Sequence, residues 1–232
     1  MAFADGDAQF GARYFQLLSN SLSVSALTAA LAVLLAVIFG YGARLAHSRL
    51  PAALNRLVSL GYALPGAVIA VGILIPVTRV DIALAESIRD LTGHNPGLLL
   101  TGGITALVYA YLVRFLTMAL GSVESGLTRI TPAMDEAARS LGATRLGVLR
   151  RVHWPLLRGS LLTASLLVFV DVMKELPATL VIRPFNFDTL ATQAYTLASD
   201  ERLTEAATAS LAIVAAGLLP VIVLSRRIGR NR

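Results

Sequence analysis

The chain has 232 residues, of which 56% are hydrophobic and 15% are charged, and its mean hydropathy is +0.70. This composition excludes an ordinary soluble domain, which does not need several uncharged runs of about 20 apolar residues, the length that spans a bilayer as a helix. The chain has no cysteine, which excludes a disulfide framework, thiol chemistry and a soft-metal site, and its formal net charge is +6.

Five segments are long and apolar enough to be membrane spans, and they are residues 22–43, 58–78, 97–120, 159–182 and 206–224. Because backbone polar groups in lipid must pair within the protein, these spans are predicted to be helical. We therefore expect an all-α polytopic membrane protein that forms a single domain over residues 1–232. Its parts are three spans within 22–120, a loop at 121–158, and two spans with a basic tail at 159–232.

Basic residues are distributed unevenly between the two sides of these spans. Thirteen of the twenty Lys and Arg lie near residues 44–56, in the loop 121–158, or in the tail from residue 225. Only five lie in the segments that alternate with these. The positive-inside rule therefore predicts that the loop and the C-terminus are cytoplasmic and that the N-terminus is outside. No basic patch is interleaved with aromatic residues, so nucleic-acid binding is not expected.

The second predicted span contains Pro65 and Pro76 among several glycines. Proline removes a helical hydrogen bond and glycine permits close approach, so kinked, tight packing is expected, with a hinge as the alternative. Residues 81–91 follow with amphipathic spacing and are predicted to form an interfacial helix on the outer side. A docking surface for a partner protein is the alternative.

Residues 136–155 lie between the third and fourth spans and read EAARSLGATRLGVLRRVHWP. Ala137 and Ala138 fit a short helix that Gly142 can end in a left-handed cap. Thr144 can then cap a second helix. Two short helices joined at a bend would form a compact surface for a partner protein, whereas a plain link between two spans is the alternative.

This segment, called the coupling segment below, resembles the cytoplasmic coupling loop of ABC-transporter permeases. The matching residues are Glu136, Ala137, Ala138, Gly142 and Pro155, with Val152 where Ile is usual and Trp154 in place of the customary Leu. The resemblance implies that cytoplasmic ABC ATPase subunits dock here. The chain has no P-loop, so ATP is expected on that partner and no cofactor on this chain.

The fourth predicted span contains three charged residues, Asp171, Lys174 and Glu175. On a helix these positions share one face, which is expected to point into the bundle or a wet cavity because charges in lipid are costly. A polar lining of the substrate path and an ion pair of Lys174 with either carboxylate both remain open. The two carboxylates suit transient contacts with a hard cation. Arg114 is predicted to extend toward the cytoplasm from the inner end of the third span.

Residues 64–72 and 169–195 closely resemble ferric-iron ABC permeases, and nearly the whole chain resembles the C-terminal half of those two-repeat proteins. The resemblance implies a type I ABC importer permease fold in a bacterial inner (plasma) membrane. It also implies a periplasmic or extracellular solute-binding protein, and a second permease half or a homodimer partner. Residues 1–20 do not resemble a signal peptide, so we expect a fragment or the second half of a longer permease.

Two alternatives to iron(III) import remain. The first keeps the mechanism and replaces the cargo with thiamine, a polyamine or a phosphonate. The second is a membrane-embedded enzyme, but the chain contains no HExxH motif, GxSxG elbow or cysteine nucleophile. We therefore expect a transporter subunit that is not itself an enzyme.

Overall fold

Helices make up most of the described residues, 11–45 and 50–229, in a computed structural model. In chain order they are α1 (Ala12–Leu45), α2 (Leu50–Ser59), α3 (Gly66–Thr92), α4 (Thr105–Leu127), α5 (Pro132–Ser140), α6 (Arg145–Val148), α7 (Trp154–Met173), α8 (Pro177–Ile182), α9 (Leu190–Ser199) and α10 (Leu203–Gly229). The helices α1, α3, α4, the continuous α6–α7 and α10 contain five stretches long and apolar enough to cross a membrane. The predicted all-α architecture with five spans is confirmed.

The centre of the bundle is α4, which packs against α1 and α7, while α1 and α7 also pack against each other. The largest buried side chains of α4 include Tyr111, Phe115, Leu107 and Leu120. On α1 the buried positions include the small residues Ala29, Ala32 and Ala36. Small side chains let helices approach closely. Because lipid tails are as apolar as the helix surfaces, helix association in a membrane depends on this close van der Waals packing. Around this core, α3 packs on α8 and α10 packs on α9.

The second span is not the single kinked helix that residues 58–78 predicted. A short 3₁₀ helix at Leu60–Ala63 follows α2, and α3 begins only at Gly66. The cause is Pro65, whose ring disfavours helical backbone at the preceding residue, and Leu64 is accordingly extended with ψ 139°. Pro76, in contrast, lies inside α3 without ending it. The spanning helix is therefore shifted toward the C-terminal end of the predicted span.

The prediction of a separate interfacial helix at residues 81–91 is wrong, because these residues form the C-terminal part of α3. Asp81 is fully buried there, and its carboxylate accepts hydrogen bonds from the backbone N–H groups of Leu99, Leu100 and Thr101 at 2.7 to 3.1 Å. These contacts hold the chain between α3 and α4 in turns. The third span therefore begins at Thr105 and ends at Leu127, several residues later than predicted.

The fourth span also differs from its predicted bounds, 159–182. It begins at Arg145, within the coupling segment, and its helix ends at Met173. The short helix α8 starts only at Pro177. Proline has no N–H to donate to the preceding turn and fits the first position of a helix, so the break before α8 follows from the sequence. The first and fifth spans contain the predicted segments and extend them at both ends.

Candidate functional site

The first half of the coupling segment forms the end of α5, as predicted. Gly142 has φ +83°, the left-handed conformation that glycine adopts without steric cost. Its N–H donates to the carbonyl of Arg139 at 2.9 Å, and the N–H of Ala143 donates to the carbonyl of Ala138 at 3.0 Å. This pair of bonds is the Schellman motif, which satisfies the last free carbonyls of a helix. The left-handed cap at Gly142 is confirmed.

The second half of the segment begins with the predicted cap and then continues into the membrane span. The side chain of Thr144 accepts a hydrogen bond from the N–H of Gly147 at 3.1 Å. The helix then widens into a π turn at Leu149–His153, where the N–H of Trp154 donates to the carbonyl of Leu149. Pro155 follows immediately and has no N–H of its own. The second helix is therefore the first part of the fourth span and not a separate unit.

The surface of α5 is almost entirely free. None of its residues is buried, and Glu136 and Ala137 are exposed. Beyond the helix, the side chains of Leu141 and Leu146 are 88% and 63% exposed. Val152 is partly exposed and Pro155 is exposed on the far side of the bend. A charged residue, a small residue and two leucines are thus left uncovered in and beside this helix.

A polar cluster that the sequence did not reveal lies beneath α5. Asp135 accepts hydrogen bonds from Nε and Nη2 of Arg44 at 3.1 and 2.9 Å through one carboxylate oxygen. Its other oxygen lies 2.7 Å from Nε2 of His153, whose side chain is fully buried. Arg44, Asp135 and His153 are called the inner node below. The sequence indicates only the charge of Arg44, and no sequence spacing links the three residues.

The charges of the inner node settle which partner donates. Burial raises the pKa of the Asp135 carboxyl, but hydrogen bonds from His153 and Arg44 outweigh it and hold that pKa below its ordinary value. Asp135 is therefore an ionised carboxylate at neutral pH and can only accept hydrogen bonds. It follows that Nε2 of His153 carries a hydrogen and is the donor in its hydrogen bond to Asp135.

The three charged residues of the fourth span do not share one helical face, contrary to the prediction. Asp171 is on the last turn of α7, and its carboxylate lies 2.8 Å from Nζ of Lys174. The side chain of Lys174 is 64% exposed. Glu175 lies beyond the end of the helix and is buried. The ion pair that the sequence left open is therefore Lys174 with Asp171, and Glu175 has a different cationic neighbour.

That neighbour is Arg114, whose Nε lies 3.6 Å from a carboxylate oxygen of Glu175. The prediction that Arg114 extends to the cytoplasm is wrong, because α4 runs from Thr105 to Leu127 and places Arg114 near its middle. The other carboxylate oxygen of Glu175 accepts from the N–H of Ala178 at 3.2 Å and so caps the start of α8. A largely buried ion pair therefore joins α4 to the break between α7 and α8.

This ion pair is surrounded by three further residues, and the five together are called the polar junction. Gly66, at the start of α3, lies so close that a methyl group on its Cα would collide with both Arg114 and Glu175. Tyr111 and Thr179 share a hydrogen bond of 2.5 Å, and Thr179 donates to the carbonyl of Glu175 at 2.6 Å. The stretches 64–72 and 169–195, singled out separately in the sequence, therefore meet here.

Among residues 11–45 and 50–229, no group of three or more His, Asp or Glu side chains is arranged to hold a metal ion. Asp171 and Glu175 are engaged by different cations, Lys174 and Arg114. The geometry thus presents two separate ion pairs at the end of the fourth span. Neither carboxylate is part of a ready-made cluster of ligands.

Residues 32–231 match a family model described as "Binding-protein-dependent transport system inner membrane component". The chain is 26% identical to the Fe(3+)-transport system permease protein FbpB 2 of Haemophilus influenzae over 208 residues, which are 90% of this chain and 38% of that relative. It is 28% identical to a putative 2-aminoethylphosphonate transport system permease protein, PhnV, of Salmonella typhimurium, covering 84% of this chain and 69% of the relative.

A similar fold occurs in a crystal structure of a bacterial alginate ABC transporter in complex with an alginate pentasaccharide-bound periplasmic protein. The TM-score is 0.69 at 16% identity, covering 98% of this chain and 86% of the chain in that structure. At this identity the likeness concerns the fold alone. It shows that helices in this order and packing occur in a chain of that crystal structure.

Proposed function

The chain belongs to the family of binding-protein-dependent transport system inner membrane components, and we propose that it is the permease subunit of an ATP-driven importer of iron(III). The chain spans well under half the length of the FbpB relative, so it is expected to act with a second permease half or with a second copy of itself. A solute-binding protein would deliver the cargo from outside the membrane. ATP would be hydrolysed by separate cytoplasmic subunits, because this chain contains no P-loop.

The observation that carries this proposal is the exposed helix α5. A nine-residue helix with no buried residue gains little stability from packing, and short isolated helices are marginal in water. It is nevertheless fixed in place by a Schellman motif at one end and by Asp135 on its inner face. A helix that is capped and anchored through Asp135 but left uncovered fits a docking element for another protein, here the ATPase.

Membrane orientation is part of the same proposal. Arg139, Arg145, Arg150 and Arg151 lie in or near the coupling segment, and the positive-inside rule places such a segment in the cytoplasm. The predicted orientation, with the N-terminus outside and the C-terminus inside, then puts α5 on the side where ATP is available. The membrane would be the inner membrane of a bacterium.

For the translocation path we propose the outer end of the fourth span. Asp171 and Lys174 lie at the end of α7, and Glu175 lies at the break before α8, where the helix leaves backbone groups unpaired by its own turns. Hard oxygen donors of this kind suit transient contacts with iron(III) as cargo. Lys174 neutralises Asp171, and this limits the negative charge that would otherwise retain a trivalent cation.

The cargo is tested by uptake in the bacterial host. Deleting this chain is expected to abolish binding-protein-dependent uptake of radioactive iron(III), and a plasmid copy is expected to restore it. An excess of 2-aminoethylphosphonate should not compete. The second candidate cargo is a phosphonate, because the PhnV relative matches this chain over a larger share of its own length. If the deletion strain keeps its iron uptake but loses uptake of 2-aminoethylphosphonate, the cargo is the phosphonate and not iron(III).

A further inference from the structure

The inner face of α5 has very few attachments to the rest of the protein. Only Asp135 and Ala138 are partly shielded in this helix, and the other residues of α5 are exposed. Ala138 has no polar group in its side chain, so the specific contacts of that face come from Asp135. Any force that a docked partner applies to α5 must therefore reach the bundle through Asp135 or through the chain on either side of the helix.

Asp135 contacts two helices directly and a third through Arg44. Arg44 lies in the last turn of α1, and its Nη1 donates to the carbonyl of Leu127, the last residue of α4, at 3.0 Å. His153 lies at the end of the π turn and immediately precedes α7. These three helices, α1, α4 and α7, are the ones that pack against one another to form the core. The inner node therefore joins α5 to the inner ends of all three.

The position of His153 is itself defined by its surroundings. The π turn adds a residue to the helix just before Pro155, and this sets which side of the helix His153 occupies. The ring of Tyr41 meets that of His153 edge-on, with 5.3 Å between the ring centroids. The hydroxyl of Tyr41 donates a hydrogen bond to the carbonyl of Arg145 at 3.2 Å. Charge-assisted hydrogen bonds between such restrained groups are shorter and stronger than neutral ones, so they transmit displacement well.

We propose that Arg44, Asp135 and His153 are positioning residues that transmit displacement of α5 to the inner ends of α1, α4 and α7 when the ATPase subunits close and open. The inference rests on the proposed function, since it requires α5 to be the docking helix. It adds the mechanical link between that helix and the spans. In the absence of the node, α5 would still be displayed on the surface but would move independently of the bundle.

The first test measures whether α5 and α1 move together. Spin labels are attached to cysteines introduced at Ser140 on α5 and Leu27 on α1, which are both exposed, in a chain that has no native cysteine. The distance distribution from pulsed EPR is expected to be narrow, and Asp135→Asn is expected to broaden it. Asp200→Asn makes the same chemical change at an exposed position and should leave the distribution unchanged. A narrow distribution in the Asp135→Asn chain would overturn the inference.

The second test measures the consequence for coupling. In proteoliposomes with the ATPase and iron(III)-loaded binding protein, Asp135→Asn and Arg44→Gln should each lower the iron transported per ATP severalfold. Combining them should add little, because both remove the same link. Arg44→Lys, which keeps the charge but loses the two-nitrogen contact, should give an intermediate loss. Additive losses, or full coupling despite a broadened EPR distribution, would make the node merely structural.

Docking itself is checked separately from the node. A photoreactive cross-linker on a cysteine at Ala137 should capture the ATPase in chains with and without Asp135→Asn. Capture by both chains together with a loss of coupling supports the inference. No capture by the chain with an intact node contradicts the proposed function, and the inference falls with it. If neither Asp135→Asn nor Arg44→Lys assembles with the ATPase, the node is required for folding and the inference is wrong.

Discussion

Glu175 shows how a single side chain can serve two structural purposes at a break in a membrane helix. One carboxylate oxygen caps the start of α8 through the N–H of Ala178, and the other faces the guanidinium of Arg114. Within the described residues, Nε and Nη1 of Arg114 are buried and have no hydrogen-bond partner. The charge of Arg114 is therefore balanced mainly by Glu175, and the pair is sensitive to the loss of either member.

Glu175→Gln is expected to lower the free energy of unfolding by about 1 to 3 kcal/mol, the usual cost of leaving a buried polar group without its partner. The amide has nearly the same shape and can still accept from Ala178, so the loss reports on the charge of Glu175. This loss in the free energy of unfolding is measured by thermal unfolding in detergent. Iron uptake should also decrease, because the break between α7 and α8 lies on the proposed path.

Lys174→Met is the matched control for Glu175→Gln, because it removes a neighbouring cation whose own ion pair, with Asp171, is partly exposed and contributes about 1 kcal/mol. Arg114→Met together with Glu175→Leu should recover most of the lost stability, since apolar replacement of both members of a buried pair is often neutral. A Lys174→Met chain as unstable as Glu175→Gln would show that Lys174, and not Arg114, is the partner of Glu175. Normal iron uptake by the double variant would make the pair a packing element.

At the scale of helices, the features predicted well were those determined by neighbouring residues. The cap at Gly142 and the cap at Thr144 depend on backbone geometry within a few residues, and both are present as predicted. The five spans follow from composition alone, since about 20 apolar residues suffice to cross a bilayer. Local chemistry therefore identified the five spans and the end of the coupling helix at Gly142, whereas the short helices α2, α8 and α9 were not predicted.

The partners of charged residues depended on helix boundaries that the sequence did not reveal. Asp81 holds the turns between α3 and α4, so α4 starts late and Arg114 lies near its middle. Hydropathy cannot detect a carboxylate that caps backbone groups 18 to 20 residues away. The node of Arg44, Asp135 and His153 was missed for the same reason, because the contacts join residues that are distant in sequence.

The left-handed conformation of Gly142 allows the end of α5 to be strained without a steric collision. An ideal Cβ at this position meets no atom within 4 Å, so a substitution acts through its φ of +83° and not through a collision. Gly142→Val is expected to strain the cap by about 1 to 2 kcal/mol, because a branched residue disfavours the left-handed region. The chain should still insert, but iron transported per ATP should fall as α5 changes its position.

Gly142→Asn is the matched variant, because asparagine visits the left-handed conformation far more readily than valine does. It should retain more of the coupling measured in the same proteoliposomes. Equal coupling in the valine, asparagine and unsubstituted chains would contradict the assignment of α5 as the element that links ATP hydrolysis to transport.

At the scale of the molecule, the two polar clusters lie toward opposite ends of the fourth span. His153 and Glu175 are 22 positions apart in the sequence, which corresponds to roughly 30 Å along a helix. The inner node contacts α5, the proposed docking helix, whereas the polar junction lies at the helix break on the proposed path. The core formed by α1, α4 and α7 connects them, as expected of a permease that couples an event at one membrane face to cargo at the other.

The most direct test of this account is the position of Ala137 relative to the membrane and the ATPase. A cysteine at Ala137 should resist an impermeant reagent added outside intact cells, and a photoreactive cross-linker attached to it in inside-out vesicles should capture the ATPase. A cysteine at Ser199, at the end of α9, should be labelled from outside and capture no ATPase. Labelling of the Ala137 cysteine from outside, or its failure to capture the ATPase, would contradict the account.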